Sequence, residues 1–323
     1  MKKVLITGAQ GFIGFHLCKK LLQMGYYVIG VDSSYSNISS WPEDSDKIMK
    51  RIKNDRLLIL QTYKNFRFMN ESISSISLSN IEGPISIVNL AARAGIPFSK
   101  QKPIFYECDN TLNFAKLLYN TRDIKIDNFV YASSSSVYGG NDTPTGCTEN
   151  MKLNPLNIYA ATKMYNETQA KIYGEMYNIP VTGLRFFTVY GTMGRVDMVF
   201  FRWLSAIMKN EPVLLNNGGD LYRDFTHVSD IVSGIILALE KPQKYKIYNL
   251  GRGESVRIID LLSIIEKYVG KKAEVKVMPY PQGEVKTSLS NIELAKIELG
   301  FNPLVSIDEG TKKYIEWFVK YFA

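Results

Sequence analysis

The chain has 323 residues, of which 46% are hydrophobic and 22% are charged, a composition that can form a core and excludes an intrinsically disordered protein. Its formal net charge of +8 suits an anionic small ligand better than nucleic acid, because the lysines are scattered and form no basic block interleaved with aromatic residues. No apolar stretch reaches the roughly 18 residues that span a bilayer, so we expect no membrane segment.

Cysteine and histidine usage indicates the compartment and argues against a metal site. The three cysteines, Cys18, Cys108 and Cys147, are an odd number without a CxxC pair, which is typical of reduced thiols in a cytoplasmic protein. Only four residues of the first apolar run precede Gly8, fewer than the roughly 7–15 of a signal peptide. With only two histidines, a His-rich metal site is not available, and we expect no metal.

Short apolar runs alternate along the chain with segments of helical periodicity. This alternation predicts right-handed βαβ units, and thus an α/β fold with a Rossmann-type, doubly wound parallel sheet covered by helices on both faces. The stretch 33–62 is polar and gives no clear prediction. The predicted strands are 4–8, 27–32, 66–69, 86–92, 129–134 and 181–187, and the predicted helices are 12–24, 104–120 and 157–177.

After about residue 186 the pattern loosens, and loops rich in Gly, Pro, Asn and Asp begin. We therefore predict a larger Rossmann domain and a smaller α/β region that binds the substrate. The larger domain comprises 1–185, to which 227–252 and a C-terminal helix at 308–322 return, and the smaller region comprises 186–226 and 253–307.

A glycine-rich turn follows the first predicted strand and opens a helix. Gly8, Gly11 and Gly14 have the spacing GxxGxxG, which allows backbone N–H groups and the positive helix end to approach a pyrophosphate. Asp32 ends the second strand, 24 residues after Gly8. An acid near this offset commonly holds the adenosine ribose hydroxyls and disfavours a 2′-phosphate. The turn and its acid therefore predict NAD as the cofactor.

The segment YAATK places Tyr159 and Lys163 on one face of a predicted helix. A tyrosine is normally a poor base because its pKa is near 10. A nearby ammonium, with the positive charge of an oxidised nicotinamide, would lower that pKa and allow proton abstraction. Four serines, 133–136, lie between the apolar run before them and a Val-Tyr-Gly turn, about 25 residues upstream of the tyrosine. We interpret them as the end of a strand at the reaction centre, rather than as a linker.

In these features the sequence resembles the extended short-chain dehydrogenase/reductase superfamily and, within it, the nucleotide-sugar 4-epimerases. It is most similar to the UDP-glucuronate 4-epimerases, and the resemblance runs from residue 2 almost to residue 320. Its most specific stretches are GFIGFHL (11–17), NLAARAG (89–95), VYASSSSVYG (130–139), IYAATK (158–163), TGLRFFTVYG (182–191), GRVDM (194–198) and RDFTHVSDIV (223–232).

The resemblance implies an isomerase that interconverts UDP-glucuronate and UDP-galacturonate through a 4-keto intermediate with tightly bound NAD, and that forms a homodimer. Tyr159 would remove the C4 hydroxyl proton, Lys163 would hold the nicotinamide ribose and tune the tyrosine, and Ser134 would hydrogen-bond the C4 oxygen. The implied cofactor-binding residues are Gly8, Gly11, Phe12, Ile13, Gly14, Asp32, Leu90, Ala91, Ala92, Asn110, Tyr159, Lys163 and Phe186. The implied substrate-binding residues are Ser134, Ser135, Ser136, Tyr159, Phe187, Thr188, Arg195, Val213, Arg223 and Glu284.

Two arginines have specific implied roles in substrate binding. Arg223 would clamp the UDP diphosphate, for which a planar guanidinium is suited; the alternative is a surface ion pair with a neighbouring aspartate. Arg195 would help to surround the hexuronate carboxylate together with Thr188 and the serines; the alternative is a solvated loop charge. Related decarboxylases carry a glutamate at the position of Ser136, and related 4,6-dehydratases carry an Asp-Glu pair at 135–136. Hydroxyls at these positions therefore favour an epimerase.

Several departures from the family pattern leave the sugar open. We keep as alternatives a 4-epimerase of UDP-glucose or of a UDP-N-acetylhexosamine and, less favoured, a UDP-glucuronate decarboxylase. An NAD-binding sensor with a vestigial site is a hypothesis from another class, and the intact trio Ser134, Tyr159 and Lys163 argues against it. The departures are Pro97 for an arginine, Thr192, Met193 and Val196 in the loop beside the sugar, Ser72 for an adenine-side acid, and Glu284 for an aspartate near the uridine ribose.

Overall fold

A computed structural model of the chain describes residues 2–33, 43–79, 81, 83–140 and 143–322. The strands are β1 (Lys3–Thr7), β2 (Tyr27–Asp32), β3 (Phe66–Asn70), β4 (Ile85–Asn89), β5 (Ile126–Ser134), β6 (Val181–Phe186), β7 (Thr188–Tyr190), β8 (Val213–Asn216), β9 (Tyr222–Arg223), β10 (Phe225–His227), β11 (Tyr245–Leu250), β12 (Val256–Arg257) and β13 (Val275–Met278).

The α-helices alternate with the strands of the first part of the chain and dominate the last part. They are α1 (Phe12–Gln23), α2 (Glu43–Gln61), α3 (Ile96–Gln101), α4 (Pro103–Tyr106), α5 (Asn113–Asn120), α6 (Ile158–Tyr177), α7 (Val199–Lys209), α8 (Val228–Glu240), α9 (Ile258–Val269), α10 (Glu293–Leu299) and α11 (Ile307–Phe322). A π-helical segment (Glu107–Leu112) joins α4 to α5.

The main sheet has seven parallel strands in the order β11-β6-β5-β4-β1-β2-β3. The direction of the strand order changes between β1 and β4, and parallel sheets of this kind bind ligands at the carboxyl ends of the strands near such a point. The predicted fold class is therefore confirmed. All six predicted strands and the predicted helices at 12–24 and 157–177 lie within a few residues of their expected bounds. The predicted helix 104–120 is interrupted by the π-helical segment.

Alternation along the central strands places side chains on both faces of the sheet. Val4 and Ile6 of β1 pack into one apolar cluster, which extends to α1, α8, α9 and α11. Leu5 packs into a second cluster on the other face, together with Phe129 and with Phe114 of α5. Because each face of the sheet is covered by helices, the central strands are largely apolar on both faces.

The polar stretch 33–62 folds largely as α2, which the sequence did not predict. A stripe spaced at four residues, Ile52, Arg56 and Leu60, is fully buried. The central member of this stripe is an arginine, which weakened the apolar periodicity on which a helix prediction depends. Residues 34–42 of this stretch lie outside the described part of the chain.

The smaller region contains three two-stranded sheets, β7-β10, β9-β12 and β8-β13, with α7, α9 and α10. The C-terminal helix α11 packs on α9, and its Phe318 contacts Phe201 of α7 at 5.5 Å between ring centroids. The main apolar cluster runs through both the sheet and this region. None of the described helices combines the length and hydropathy that a bilayer-spanning helix requires.

Candidate active site

The glycine turn between β1 and α1 is fitted to a dinucleotide. Gly8 has φ +71°, and a β-carbon on Gly14 would lie 2.0 Å from the carbonyl oxygen of Gly8, so the turn excludes side chains there. Helix α1 begins at Phe12, and its N-cap Gly11 makes no side-chain hydrogen bond. The N–H groups of the first turn therefore remain available to a pyrophosphate, as the cofactor-binding prediction requires.

Asp32 lies at the end of β2, beside this turn. Its Oδ2 accepts a hydrogen bond from the backbone N–H of Gln10 at 2.9 Å, and its Oδ1 is 3.6 Å from the Lys53 ammonium. The carboxylate is thus held at the sheet edge next to the turn, where a carboxylate can accept from ribose hydroxyls. The half-buried Ile13 belongs to the first turn of α1.

The end of β4 lies against the glycine turn. The Thr7 hydroxyl donates to Asn89 at 2.6 Å, and the same oxygen accepts from the N–H of Ala91 at 3.1 Å. A β-carbon on Gly8 would lie 2.9 Å from that nitrogen. Leu90 and Ala91 are half-buried and Ala92 is exposed, so the predicted wall of the cofactor site lies next to the turn.

The four serines form the end of β5 and the start of a tight turn, as the sequence predicts. The Ser134 hydroxyl oxygen accepts hydrogen bonds from the Ser136 N–H at 3.2 Å and the Ser136 hydroxyl at 2.8 Å. Ser135 begins a 3₁₀ turn that ends at Tyr138. Ser133 points away from this group and donates to Glu167 at 2.6 Å. The serines therefore have fixed positions rather than linker character.

Helix α6 places Tyr159 beside the serines. Its N-cap is Asn157, whose side chain accepts from the N–H of Ala160 at 2.9 Å, and this cap fixes the first turn. Burial raises the pKa of Tyr159 above its ordinary value, while a hydrogen bond with Ser134 and the positive charge of Arg195 oppose the rise. The tyrosine is thus protonated at neutral pH in the cofactor-free protein and can donate a hydrogen bond. A positive charge added nearby would lower its pKa and favour loss of the proton.

Lys163 lies one helical turn after Tyr159, but its ammonium is held elsewhere. Its Nζ donates to the carbonyl of Ala132 at 2.8 Å. Burial lowers the pKa of Lys163 to about 8, although the nearby Glu167 carboxylate opposes this effect. In the cofactor-free protein the positive charge that acts to lower the pKa of Tyr159 is that of Arg195, and the effect of Lys163 on the tyrosine with the cofactor bound stays a prediction.

A buried ion pair behind α6 was not predicted. Arg185 of β6 binds Glu167 through Nε and Nη2 at 2.8 and 2.7 Å, and its Nη1 donates to the Tyr138 hydroxyl at 2.8 Å. The Ser133 hydroxyl is a further donor to the Glu167 carboxylate. Two signals could have revealed it: an arginine inside the apolar strand TGLRFF, and a glutamate one turn after Lys163 on the same helix face.

Asn110 lies in the π-helical segment, buried, with its amide bonded to protein. Its Oδ1 accepts from the N–H of Arg93 at 2.7 Å, and its Nδ2 donates to the Arg93 carbonyl at 3.0 Å and to Thr162 at 3.1 Å. These bonds tie the β4 loop to α6. In this structure Asn110 positions the elements around the cofactor site, and direct cofactor contact by its side chain stays a prediction.

Arg195 lies close enough to Tyr159 for its charge to act on the pKa of the phenol. It binds Asp197 through Nε at 2.9 Å and Nη2 at 2.5 Å, and Nη2 also donates to the Ala94 carbonyl at 3.4 Å. The fully buried Tyr106 donates to the adjacent Gly95 carbonyl at 2.8 Å and packs edge-on against Tyr159. Arg195 is therefore a fixed charge in the site, and the solvated-loop alternative is wrong.

The strand end after β6 supplies two aromatic walls and a threonine. Phe186 and Phe187 are mostly buried, and Phe187 packs 6.4 Å from the ring of Tyr138. The backbone N–H of Thr188 donates to the carbonyl of Asp224 at 3.0 Å. These positions adjoin the serine turn through the pairing of Ser134 with Phe186.

Arg223 and Glu284, both predicted to bind substrate, are paired with each other. Arg223 Nη2 donates to Glu284 at 3.2 Å, and Nη1 donates to the carbonyls of Tyr222 and Lys286 at 2.8 and 3.1 Å. The prediction for Val213 is not supported, because its side chain is fully buried in the main apolar cluster. A side chain without solvent access cannot contact a substrate in this conformation.

Two of the departures from the family pattern, Pro97 and Ser72, lie in a short helix and in a local turn. Pro97, in the first turn of α3, is exposed. Lys100 of the same helix donates to the carbonyl of Gln282, which links α3 to the loop that carries Glu284. Ser72 forms a local turn with Ser74, at 2.9 Å between the hydroxyl oxygens.

Among the described residues, no cluster of three His, Cys, Asp or Glu side chains could hold a metal ion.

Comparison with known proteins gives matches along almost the whole chain. "Protein CapI" of Staphylococcus aureus is 38% identical over 99% of both chains. The UDP-glucuronate 4-epimerase of Thermodesulfobacterium geofontis is 35% identical over 97% of this chain and 95% of its own length. The crystal structure of UDP-glucuronic acid 4-epimerase from Bacillus cereus, in complex with UDP-glucuronic acid and NAD, superposes with a TM-score of 0.90 at 31% identity, over 99% of this chain and 100% of that one. Residues 4–251 match the NAD dependent epimerase/dehydratase family, and the chain belongs to this family.

Proposed function

We propose that the protein is a UDP-glucuronate 4-epimerase that interconverts UDP-glucuronate and UDP-galacturonate. The observation that carries this proposal is the arrangement around Tyr159, where Ser134 and the positive charge of Arg195 both act to lower the pKa of the phenol. It combines a proton acceptor for a sugar hydroxyl with a cation for a carboxylate. The relatives named for this activity cover nearly the whole chain.

NAD, when bound, supplies the acceptor and later the donor of the hydride at C4 of the sugar. Tyr159 would first release its own proton to solvent, once the positive charge of the bound oxidised cofactor favours the phenolate, and would then take the proton of the C4 hydroxyl and return it after the ketone has been reduced. Ser134 holds the C4 oxygen through its hydroxyl, which already receives two hydrogen bonds from Ser136. Lys163 holds the nicotinamide ribose, for which its ammonium must share or leave the Ala132 carbonyl.

Retention of the sugar carboxylate is the second requirement. A hexuronate oxidised at C4 is a β-keto acid, which loses carbon dioxide when its carboxylate aligns with the ketone orbitals. Arg195, fixed by Asp197, holds the carboxylate out of this alignment together with Thr188. Ser135 and Ser136 add neutral hydroxyls, which bind a carboxylate without repelling it.

The diphosphate of the substrate is assigned to Arg223. Its guanidinium is mostly buried and already makes three hydrogen bonds within the protein. Burial lowers the pKa of Arg223, although Glu284 opposes this effect. Exchange of Glu284 for a diphosphate oxygen would keep the arginine paired and free the glutamate for the uridine ribose.

One incubation tests the proposal. The purified protein receives UDP-glucuronate without added cofactor, and the nucleotides are separated by chromatography while released carbon dioxide is collected. We expect UDP-galacturonate with little UDP-pentose. Conversion of UDP-glucuronate to a UDP-pentose with stoichiometric carbon dioxide, or turnover of UDP-glucose or UDP-N-acetylglucosamine alone, would contradict the assignment and favour one of the alternatives.

We also propose a homodimer located in the cytoplasm. Large apolar side chains are exposed along the segment 103–120 and on α6, on two neighbouring stretches of helix that could pair with a second copy. These side chains are Ile104, Leu112, Tyr119, Tyr165, Ile172 and Met176. Sedimentation of the protein should give twice the mass of the chain, and Ile172→Asp should give the mass of the monomer. Monomeric wild-type protein would contradict the dimer.

A further inference from the structure

Arg56 is a buried cation that the proposed reaction does not use. It lies on α2 between Ile52 and Leu60 and is fully buried. A guanidinium in such a position ordinarily pairs with a carboxylate, because an isolated buried charge is strongly destabilising. Arg56 therefore needs an explanation beyond packing.

No described carboxylate pairs with Arg56. Its hydrogen-bond partners among the described residues are three backbone carbonyls, and its Nε has no protein partner among them. The segment 34–42 contains no acidic residue, and Glu43 and Asp44 lie about three helical turns earlier on α2. Asp32 acts on Arg56 only through its field, since its oxygens are engaged by Gln10 and Lys53.

The three carbonyls belong to two separate parts of the site. Nη1 donates to the carbonyl of Gln10 in the glycine turn at 2.6 Å. Nη2 donates to the carbonyl of Met193 and, at 3.4 Å, to that of Gly194. One guanidinium therefore joins the turn that receives the pyrophosphate to the loop that carries Arg195.

The loop 192–194 is also held from α1. His16 makes a hydrogen bond of 2.9 Å with the carbonyl of Thr192. Met193 has φ +51°, a left-handed conformation that a non-glycine residue adopts only when its surroundings enforce it. Three successive carbonyls thus point toward the cofactor domain, and the next residue is Arg195.

We propose that Arg56 is a positioning residue that couples the cofactor turn to the substrate loop, so that one buried cation strengthens pyrophosphate binding and fixes Arg195 at the sugar carboxylate. This inference rests on the proposed function for the sugar and on the family for the cofactor. The positive charge acts at the glycine turn, where the pyrophosphate would add negative charge to the field of Asp32, and no described carboxylate pairs directly with Arg56. The planar fork acts at the loop, since it reaches two segments at once.

Charge and fork can be separated by two variants. Arg56→Lys keeps the positive charge, so we expect bound NAD at the wild-type ratio. Its single ammonium cannot reach both segments, so we expect the KM for UDP-glucuronate to rise roughly tenfold or more, as the loss of one charge-assisted hydrogen bond would cause. Arg56→Met lacks both, and we expect purified protein with less than half of the wild-type NAD content and the same rise in KM. Arg51→Met on the exposed side of α2 is the matched control, with NAD content and KM unchanged.

Two measurements besides activity decide the case. NAD released by denaturation is quantified per chain, and amide hydrogen exchange is followed at 193–195; we expect faster exchange there in both Arg56 variants but not in Arg51→Met. Wild-type KM and exchange in Arg56→Lys would overturn the proposal, as would wild-type NAD content in Arg56→Met. If Arg56→Met does not fold, the lysine variant alone still decides. If wild-type protein fails to turn over UDP-glucuronate, the proposed function fails, while NAD content and exchange still test Arg56.

Discussion

The cofactor side and the sugar side of the site are built by different means. The cofactor side consists mainly of backbone at strand ends, with glycines where a side chain would collide, as a β-carbon on Gly14 would do 2.0 Å from Gly8. The proposed sugar side consists of charged side chains on a loop and on the short strand β9, where Arg195 is paired with Asp197 and Arg223 with Glu284.

This difference implies two modes of binding. Backbone groups in a rigid turn are preorganised and need no rearrangement to receive a pyrophosphate. Arginines that are already paired must lose or share a partner when the substrate binds. Breaking these ion pairs costs free energy, which only an anion of the right shape offsets. We therefore expect changes on the two sides to affect different measured quantities.

The largest effect should come from Tyr159→Phe, which removes the proton acceptor between the two sides. We expect kcat to fall by about 10³-fold or more, within the usual range for general acid–base catalysis, while NAD content and substrate affinity stay near wild type. Steady-state kinetics and NAD quantification measure this. Tyr165→Phe, on an exposed part of the same helix, is the control, and a kcat reduced less than tenfold in Tyr159→Phe would refute the assigned base.

Gly14→Ala should damage the cofactor side alone. Its methyl group would meet backbone atoms of Gly8, so the turn must open, and overpacking of this kind costs about 1–3 kcal/mol. We expect NAD to bind at least ~100-fold more weakly, if that cost and the lost N–H contacts add. Titration with NAD measures the affinity. Gly140→Ala, at an open position, should behave as wild type, and tight NAD binding by Gly14→Ala would contradict the assigned turn.

Arg223→Met should damage the sugar side alone. Loss of a charge-assisted contact to the diphosphate, about 1.5–3 kcal/mol, should raise KM for UDP-glucuronate by roughly 10- to 100-fold with NAD content unchanged. The matched control is Arg257→Met, since Arg257 on the paired strand β12 is more exposed and binds Asp220. An unchanged KM in Arg223→Met would remove Arg223 from the substrate site.

The smallest effect concerns the pH dependence of stability in the cofactor-free protein. The pKa of Lys163 is about 8 when folded against 10.5 ordinarily, so between these values the unfolded chain binds the extra proton and stability rises with pH. The free energy of unfolding of wild type minus that of Lys163→Met should therefore rise by about 2 kcal/mol from pH 8 to pH 10. Denaturant titrations at several pH values measure it, and a flat difference would show a normal lysine.

The sequence predicts the cofactor side better than the sugar side for a physical reason. Strands, the glycine turn and the Tyr159–Lys163 spacing are local, and each depends on a few adjacent residues. The partners of Lys163 and Arg195, namely Ala132 and Asp197, follow from tertiary packing or loop conformation. The burial of Arg56 was the feature least predictable from the sequence, because a charged residue within a polar stretch predicts a solvated helix face rather than a buried stripe.

Val213 illustrates the limit of resemblance. The resemblance assigned a substrate-binding role to this residue in a loop-rich region. In the structure it lies on β8, and its side chain is buried in the main apolar cluster. Whether a residue on a short strand points inward depends on register, here set by pairing with Val275 of β13. Short strands of this kind have weak periodicity, and sequence alone does not fix their register.

The central claim is that the hydrogen at C4 leaves the sugar as hydride and returns to the same molecule. UDP-glucuronate carrying deuterium at C4 tests this directly when it is converted in ordinary water and the UDP-galacturonate formed is examined by mass spectrometry. The account predicts that the product keeps its deuterium at C4. Product in which this deuterium has been replaced by solvent hydrogen would contradict it.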